Sequence, residues 1–131
     1  MRFVDSSFWI AIRNERDAHH PQAVEWLGDP AGGPLVTTNH VRGETWTFLR
    51  RRVGHASAAS FVASLERSAR TRVVFVSQAL ESEALRWLRR HDERPYSFVD
   101  ATSFATMRAM HIRDALTYDD DFTVAGFKRV S

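Results

Sequence analysis

Four acidic residues, spread along the whole chain, occupy segments in which their side chains could converge. They are Asp5, Glu44, Asp100 and Asp119. Converging carboxylates suit Mg²⁺ or Mn²⁺, because these ions prefer hard oxygen ligands. A bound divalent ion can neutralise the charge of a phosphodiester and activate a water molecule. Hydrolysis of a phosphodiester bond is one reaction that such a set of residues could support.

Two of the acids stand where predicted strands end. Asp5 closes a strand predicted at residues 2–5, and Asp119 follows one predicted at residues 115–117. Because the carboxyl ends of parallel strands form the binding crevice of such sheets, we expect these two side chains to meet there. Simpler roles stay open at this point, since Asp5 could cap the following helix and the Asp119 segment could be a polar turn.

The other two acids are predicted to lie on helices. Glu44 comes three residues after Val41 and four before Phe48, a spacing that places all three on one helix face. A carboxylate on an apolar stripe costs desolvation energy, so the pattern predicts a metal ion or a buried arginine beside it. Asp100 shows the same pattern, although Ser97 and Asp100 also have the spacing of a capping box.

The elements that must position these acids alternate between strands and helices. This order predicts a three-layer α/β/α fold with a central, mainly parallel sheet of four to five strands. The run VVFV predicts a buried strand. We predict strands at 2–5, 35–37, 72–76, 115–117 and, at the edge, 127–130, and helices at 6–12, 19–27, 39–52, 56–69, 77–91 and 98–111.

Composition narrows the class of protein. With 131 residues, of which 44% are hydrophobic, the chain predicts a single domain over residues 1–131. No apolar run exceeds five residues, so we expect a cytoplasmic protein with no membrane association. The absence of cysteine excludes thiol nucleophiles, disulfides and cysteine-based zinc sites.

Arginine dominates the middle of the chain. Seven arginines but only two acids lie between Arg42 and Arg72. Arg50, Arg51 and Arg52 end one predicted helix, where they could bind RNA phosphates or simply complement the helix dipole. Trp9 and Trp46 could stack on unpaired bases, although packing in the core is the more usual role of tryptophan.

The four acidic segments, read together, resemble the four motifs of PIN-domain nucleases, specifically the VapC-type toxins of toxin-antitoxin systems. The segments are FVDSSFWIA, TTNHVRGETWTFL, YSFVDATSF and ALTYDDDFTVAGF, and the resemblance spans residues 3–127. It implies a Mg²⁺- or Mn²⁺-dependent endoribonuclease whose catalytic metal is bound by Asp5, Glu44, Asp100 and Asp119. Asp121 could share the fourth position, and Ser6, Ser103 and Thr117 would hold water or orient a carboxylate.

The resemblance also implies partners. They are an RNA substrate, a second copy of the chain, and a VapB-type antitoxin through which alone the complex would bind DNA. We expect the homodimer to use helices between Gly54 and His91. An antitoxin arginine is expected to enter the acidic crevice, beside an apolar wall formed by Phe8, Trp9 and Trp26.

Three rival functions remain. The first is a non-catalytic PIN-like scaffold that binds RNA or an antitoxin. The second is a metal-free ribonuclease, for which the six histidines show no pairing that the sequence can establish. The third is a phosphatase with Asp5 as nucleophile, disfavoured because Ser7 stands where the second acid is expected.

Overall fold

A single parallel sheet forms the centre of the molecule. A computed structural model describes residues 1–130, in which five strands pair in the order β3-β2-β1-β4-β5. Phe3 of the central strand pairs with Val36 on one side and Ala115 on the other. The strands are β1 (Arg2–Val4), β2 (Leu35–Thr38), β3 (Thr71–Val74), β4 (Asp114–Leu116) and β5 (Lys128–Arg129).

Helices connect the strands and cover the sheet on both faces, which gives the predicted three-layer arrangement. Helix α1 packs against α2 and α3, α3 packs against α4, α5 packs against α6, and α3 also contacts α6. None of the helices within residues 1–130 has the length and apolar character that crossing a bilayer requires. They are α1 (Ser6–Arg13), α2 (His20–Gly28), α3 (Asn39–Arg52), α4 (His55–Arg67), α5 (Gln78–Arg90), α6 (Phe98–Ala109) and α7 (Asp121–Val124).

Aromatic side chains fill the core. The Phe3 ring lies 6.3 Å from Phe122, which is 4.9 Å from Phe104 in an edge-to-face contact. Burying one such ring contributes about 1.5 to 3 kcal/mol. Five phenylalanines are completely or almost completely buried: Phe3, Phe8, Phe61, Phe104 and Phe122.

The third strand differs from its prediction. The run VVFV predicted a buried strand, but β3 is an edge strand that pairs only with β2. Val73 and Val74 are half-buried, and Phe75, which follows the strand, is 65% exposed. The β-branched residues indicated a strand correctly, whereas its place in the sheet depends on strand order, which local composition does not encode.

The prediction of an apolar wall for an antitoxin is also wrong for two of its three residues. Phe8 is fully buried, and Trp9 is buried against Phe61 with a ring-centroid distance of 5.7 Å. The Trp9 indole nitrogen donates to Thr37 Oγ1 at 3.4 Å, so this ring is also unavailable for base stacking. Trp26 is half-buried and packs edge-on against Phe8.

Candidate active site

Asp5 lies at the carboxyl end of the central strand. Its backbone N–H donates to Leu116 O at 3.0 Å, which ties the ends of β1 and β4 together. The Asp5 side chain is only 2% exposed, and its Oδ2 accepts hydrogen bonds of 2.9 Å from Thr117 Oγ1 and Ser7 Oγ. Its Oδ1 is buried and has no hydrogen-bond partner among residues 1–130. Asp5 occupies the N-cap position of α1, as the capping alternative predicted, but its carboxylate forms no capping hydrogen bond.

Glu44 reaches the site from α3. Ser6 Oγ donates to Glu44 Oε1 at 2.5 Å, which joins the start of α1 to the middle of α3. The predicted apolar stripe through Glu44 is displaced, because the buried face of α3 carries Val41, Thr45 and Leu49. Glu44 is half-buried at the border of that face, and Phe48 is 37% exposed.

Asp100 lies in the first turn of α6. Ser97 Oγ accepts a 2.9 Å hydrogen bond from the Asp100 backbone N–H, so the predicted capping interaction is present. The Asp100 side chain is nevertheless 7% exposed and belongs to a carboxylate cluster. Oxygen atoms of Asp100, Asp119 and Asp121 lie within 4.8 Å of one another. Capping and cluster formation are therefore compatible at this residue.

The segment after β4 supplies the remaining acids. Thr117 Oγ1 accepts from the Asp119 backbone N–H at 3.0 Å, and Asp119 Oδ1 accepts from the Asp121 backbone N–H at 2.9 Å. Arg94 Nε donates to Asp121 Oδ1 at 2.5 Å. Asp120 points elsewhere, since it pairs with Arg129 at 2.8 Å. Both candidates for the fourth acid thus lie in the cluster.

Burial and mutual repulsion raise the pKa values of these acids. Burial raises the pKa of Asp5 to about 6, against the lowering effect of the Thr117 and Ser7 hydroxyls, and the charge of Glu44 adds to the rise. Burial also raises the pKa of Asp100 to about 7, with further contributions from Asp5 and Asp119. The pKa of Asp119 is raised mainly by burial. These electrostatic interactions connect Glu44 to Asp5, and Asp5 and Asp119 to Asp100, whereas the oxygen atoms that lie within 4.8 Å of one another are those of Asp100, Asp119 and Asp121.

The predicted supporting hydroxyls occupy three different positions. Thr117 binds Asp5 directly, and Ser6 binds Glu44. Ser103 lies one helical turn after Asp100, and its buried Oγ has no hydrogen-bond partner within residues 1–130. The Ser103 hydroxyl is therefore still available to form a hydrogen bond.

Two residues of the site were missed by the sequence analysis. Ser7 donates to Asp5 and accepts from the Tyr118 backbone N–H at 2.9 Å, so it bridges α1 and the segment after β4. Arg94 binds an acid 27 positions away. The only signal for Ser7 is its place two residues after Asp5, and no spacing in the sequence indicates the partner of Arg94.

Of the three arginines at the end of α3, two share a groove with Glu44. All three are exposed. Arg51 and Arg52 line an open groove of about 720 Å³ that also contains Glu44. Trp46 is half-buried and makes an edge-on contact with His55, with ring centroids 5.7 Å apart.

Comparison with known proteins places the chain in a family. The PIN domain model matches residues 2–128. This chain belongs to the PIN-domain family. The PIN domain is 52% identical over 132 residues to the 23S rRNA-specific endonuclease VapC20 of Mycobacterium tuberculosis, with 99% of this chain and 98% of the relative covered. It is similarly related to VapC20 from a second strain of that species.

A solved structure agrees with this assignment. The crystal structure of Mycobacterium tuberculosis VapC20, described as a sarcin-ricin loop cleaving toxin, superposes on this PIN domain with a TM-score of 0.92. The two chains are 49% identical, and the match covers 99% of this chain and 98% of that one. The predicted fold is confirmed, as is the resemblance to VapC-type toxins.

Proposed function

We propose that this PIN domain is a Mg²⁺- or Mn²⁺-dependent endoribonuclease that acts as the toxin of a toxin-antitoxin pair. The observation that carries the proposal is the buried Asp5 Oδ1, which has no partner within residues 1–130 although it lies beside other carboxylates. A buried carboxylate oxygen without a donor is unfavourable unless a cation occupies the space next to it. Asp5, Glu44, Asp100 and Asp119 are the proposed catalytic residues and metal ligands.

The donor set fits the proposed ion. Every side chain in the cluster offers oxygen, and the close approach of Asp100, Asp119 and Asp121 suits a small divalent cation that keeps several waters. When bound, such a cation neutralises the phosphate charge and activates water for in-line attack. Thr117 and Ser7 fix the Asp5 carboxylate, and Ser6 fixes Glu44. These hydroxyls would keep both carboxylates oriented toward the ion.

The proposed substrate is 23S rRNA, at the sarcin-ricin loop. Support comes from the 52% identity to VapC20, which extends over 99% of this chain. Sequencing of RNA 5′ ends after brief expression of the chain tests this proposal. Cuts at other sites, with the sarcin-ricin loop intact, would reject the substrate while leaving the nuclease activity.

A metal titration separates the nuclease from a non-catalytic RNA- or antitoxin-binding scaffold. We expect Mn²⁺ to bind and to support cleavage of RNA, and EDTA to stop it. Asp5→Asn should lose both binding and cleavage, whereas Asp120→Asn is the matched control, since Asp120 is exposed and pairs with Arg129. Absence of metal binding would favour the scaffold, and cleavage in EDTA would favour a metal-free enzyme.

Regulation by an antitoxin is proposed on electrostatic grounds. The unpaired carboxylate oxygens form a seat for a guanidinium group, which could replace the charge of the ion. Because Phe8 and Trp9 are buried, the rest of the antitoxin must contact other residues. The test is co-expression with the small open reading frame adjacent in the genome. If that protein neither binds nor relieves growth arrest, the toxin-antitoxin assignment fails.

We also propose that the chain forms a homodimer through α4 and α5. The family to which the chain belongs supports the proposal, and Leu85 on α5, which is 38% exposed, is an apolar side chain that such an interface would cover. Light scattering should give twice the 15.0 kDa mass of one chain, and Leu85→Glu should shift the protein toward monomer. A wild-type monomer at micromolar concentration would contradict the proposal.

A further inference from the structure

A groove between α3 and α6 opens beside the acidic cluster. Its walls are formed by residues of α3 and by the first residues of α6, and its volume is about 720 Å³. Sites that bind small ligands are roughly 300 to 1,000 Å³ in volume. Glu44, one of the proposed metal ligands, lines the groove, so the groove reaches the proposed metal site at this residue.

Two phenylalanines give the groove an apolar surface. Both side chains are large and apolar, yet Phe48 is 37% exposed and Phe98 is 39% exposed. The His40 ring packs 5.9 Å from Phe98, and His40 Nδ1 lies 3.3 Å from Thr102 Oγ1, so the position of this aromatic group is fixed. Exposed, fixed aromatic rings are the surfaces on which unpaired bases stack.

Cationic side chains occupy the end of the groove formed by the last turn of α3. The Arg52 guanidinium lies 5.8 Å from the Phe48 ring centroid, and Arg51 lines the same groove. None of the ion pairs formed within residues 1–130 includes Arg51 or Arg52. Two unpaired guanidinium groups next to apolar rings match a nucleotide, and they would repel a basic antitoxin segment.

We propose that the groove binds one unpaired nucleotide adjacent to the cleaved phosphate, its base stacked on the surface of Phe48 and Phe98 and its phosphate bound by Arg51 and Arg52. This inference rests on the proposed ribonuclease function, and it assigns the residues that recognise the substrate. The groove thus selects RNA in which a base beside the cleavage site is unstacked.

The first test is a double-mutant cycle between protein and RNA. The substrate is a hairpin containing the cleavage site, and each nucleotide next to that site is replaced in turn by an abasic residue. We expect Phe48→Ala to raise KM about ten-fold with kcat within two-fold, since loss of about 1.4 kcal/mol of stacking changes affinity ten-fold. One abasic substrate should show the same loss with the wild type and no further loss with Phe48→Ala. Equal abasic losses in both proteins would overturn the proposal.

A second variant fills the groove without removing a contact. A Cβ atom at Gly43, which lines the groove, would meet nothing within 4 Å, so Gly43→Leu should fold and also gain helix propensity. We expect its KM to rise about ten-fold. The matched control is Phe75→Ala, which removes a phenylalanine that is 65% exposed and lies outside the groove, and its kinetics should be unchanged. Unchanged KM in Gly43→Leu would overturn the proposal.

Direct stacking is measured without cleavage. RNA carrying 2-aminopurine next to the cleavage site should lose fluorescence on binding Asp5→Asn, and Phe48→Ala in that background should abolish the quenching. If the wild type cuts no RNA but quenching persists, the ribonuclease function fails and the groove stands. If Phe48→Ala leaves quenching intact but releases a co-purified antitoxin or dissociates a dimer, the groove belongs to that partner and the proposal is wrong.

Discussion

The two ends of the sheet differ in whether their charged side chains have partners. At the amino ends of the strands, Arg70 donates to Gly33 O and Leu27 O at 2.7 Å, and Arg2 lies 3.9 Å from Asp114. Both guanidinium groups also lie over the Trp26 ring. At the carboxyl ends, by contrast, buried carboxylates face one another, and within residues 1–130 only Asp121 of the cluster is paired with a cation.

The amino ends of the strands therefore contribute to stability, and the carboxyl ends carry the groups that could do chemistry. At the amino ends, charged side chains with hydrogen-bond partners stabilise the loops that lead into β2 and β3, because Arg70 bridges segments before both strands. Acids without cations at the carboxyl ends destabilise the metal-free protein, as their raised pKa values indicate. Substitutions at the two ends should therefore change different measured quantities.

The largest effect is expected at Asp5. Asp5→Asn should reduce the rate of RNA cleavage at least 100-fold, because ligands matter more than the outer contacts whose loss costs about 10- to 100-fold. The fold should persist, since an amide can still accept from Thr117 and Ser7. Asp114→Asn, at the opposite end of the sheet, serves as control and should stay within two-fold. A folded Asp5→Asn protein with normal cleavage would break the comparison.

A smaller contrast is expected within the acidic end. Asp121 already accepts from Arg94, whereas the pKa of Asp119 is raised mainly by burial. Asp119→Asn should therefore lower cleavage more than Asp121→Asn does, when both are assayed over a range of Mn²⁺ concentrations. The reverse order would give the fourth metal position to Asp121.

At the amino end, the expected change is in stability alone. Arg70→Ala should lower the free energy of unfolding by about 2 to 4 kcal/mol, because it leaves backbone carbonyls of two loops without donors. Cleavage per folded molecule should not change. Urea denaturation measures the first quantity, and Arg72→Ala, an exposed neighbour, should stay within about 0.5 kcal/mol of the wild type. Lost activity in folded Arg70→Ala would contradict the assignment of stability to the amino ends and chemistry to the carboxyl ends.

The smallest effect is a dependence of stability on pH in the absence of metal. Folding raises the pKa of Asp5 to about 6 and that of Asp100 to about 7, so the folded chain binds protons more tightly than the unfolded chain. The stabilisation is complete below the ordinary pKa near 3.8 and is lost as the pH rises through 6 and 7.

Urea unfolding in EDTA between pH 5 and pH 8 measures this dependence. The free energy of unfolding should fall toward pH 8, and Asp5→Asn should flatten the slope near pH 6. Added Mg²⁺ should restore stability at pH 8. A slope of the opposite sign would mean that the carboxylates at the carboxyl ends of the strands have stabilising partners, as the arginines at the amino ends do.

The sequence predicted the fold well because its signals are local. The helix predicted at residues 39–52 agrees with α3 at both ends, since the helix is preceded by the capping Thr38 and followed by Gly54. The four-residue helix α7 was missed because its single turn is too short to show a period.

Features that depend on tertiary contacts were not accessible in this way. The burial of Trp9, the edge position of β3 and the Arg94–Asp121 pair all follow from how distant segments meet. The motifs did include Asp100 and Asp119, which lie close together, but Glu44 was predicted on the wrong stripe of α3. That error arose because Thr45, and not Phe48, faces the core.

The pairing of β1 with β4 has a consequence for synthesis of the protein. Asp5 is made almost first, yet its partner Thr117 lies 112 positions later, and Asp119 follows Thr117. A chain still emerging from the ribosome therefore holds no assembled site until β4 has left the exit tunnel and joined the sheet. Strand order alone therefore delays assembly of the site until most of the chain has been made.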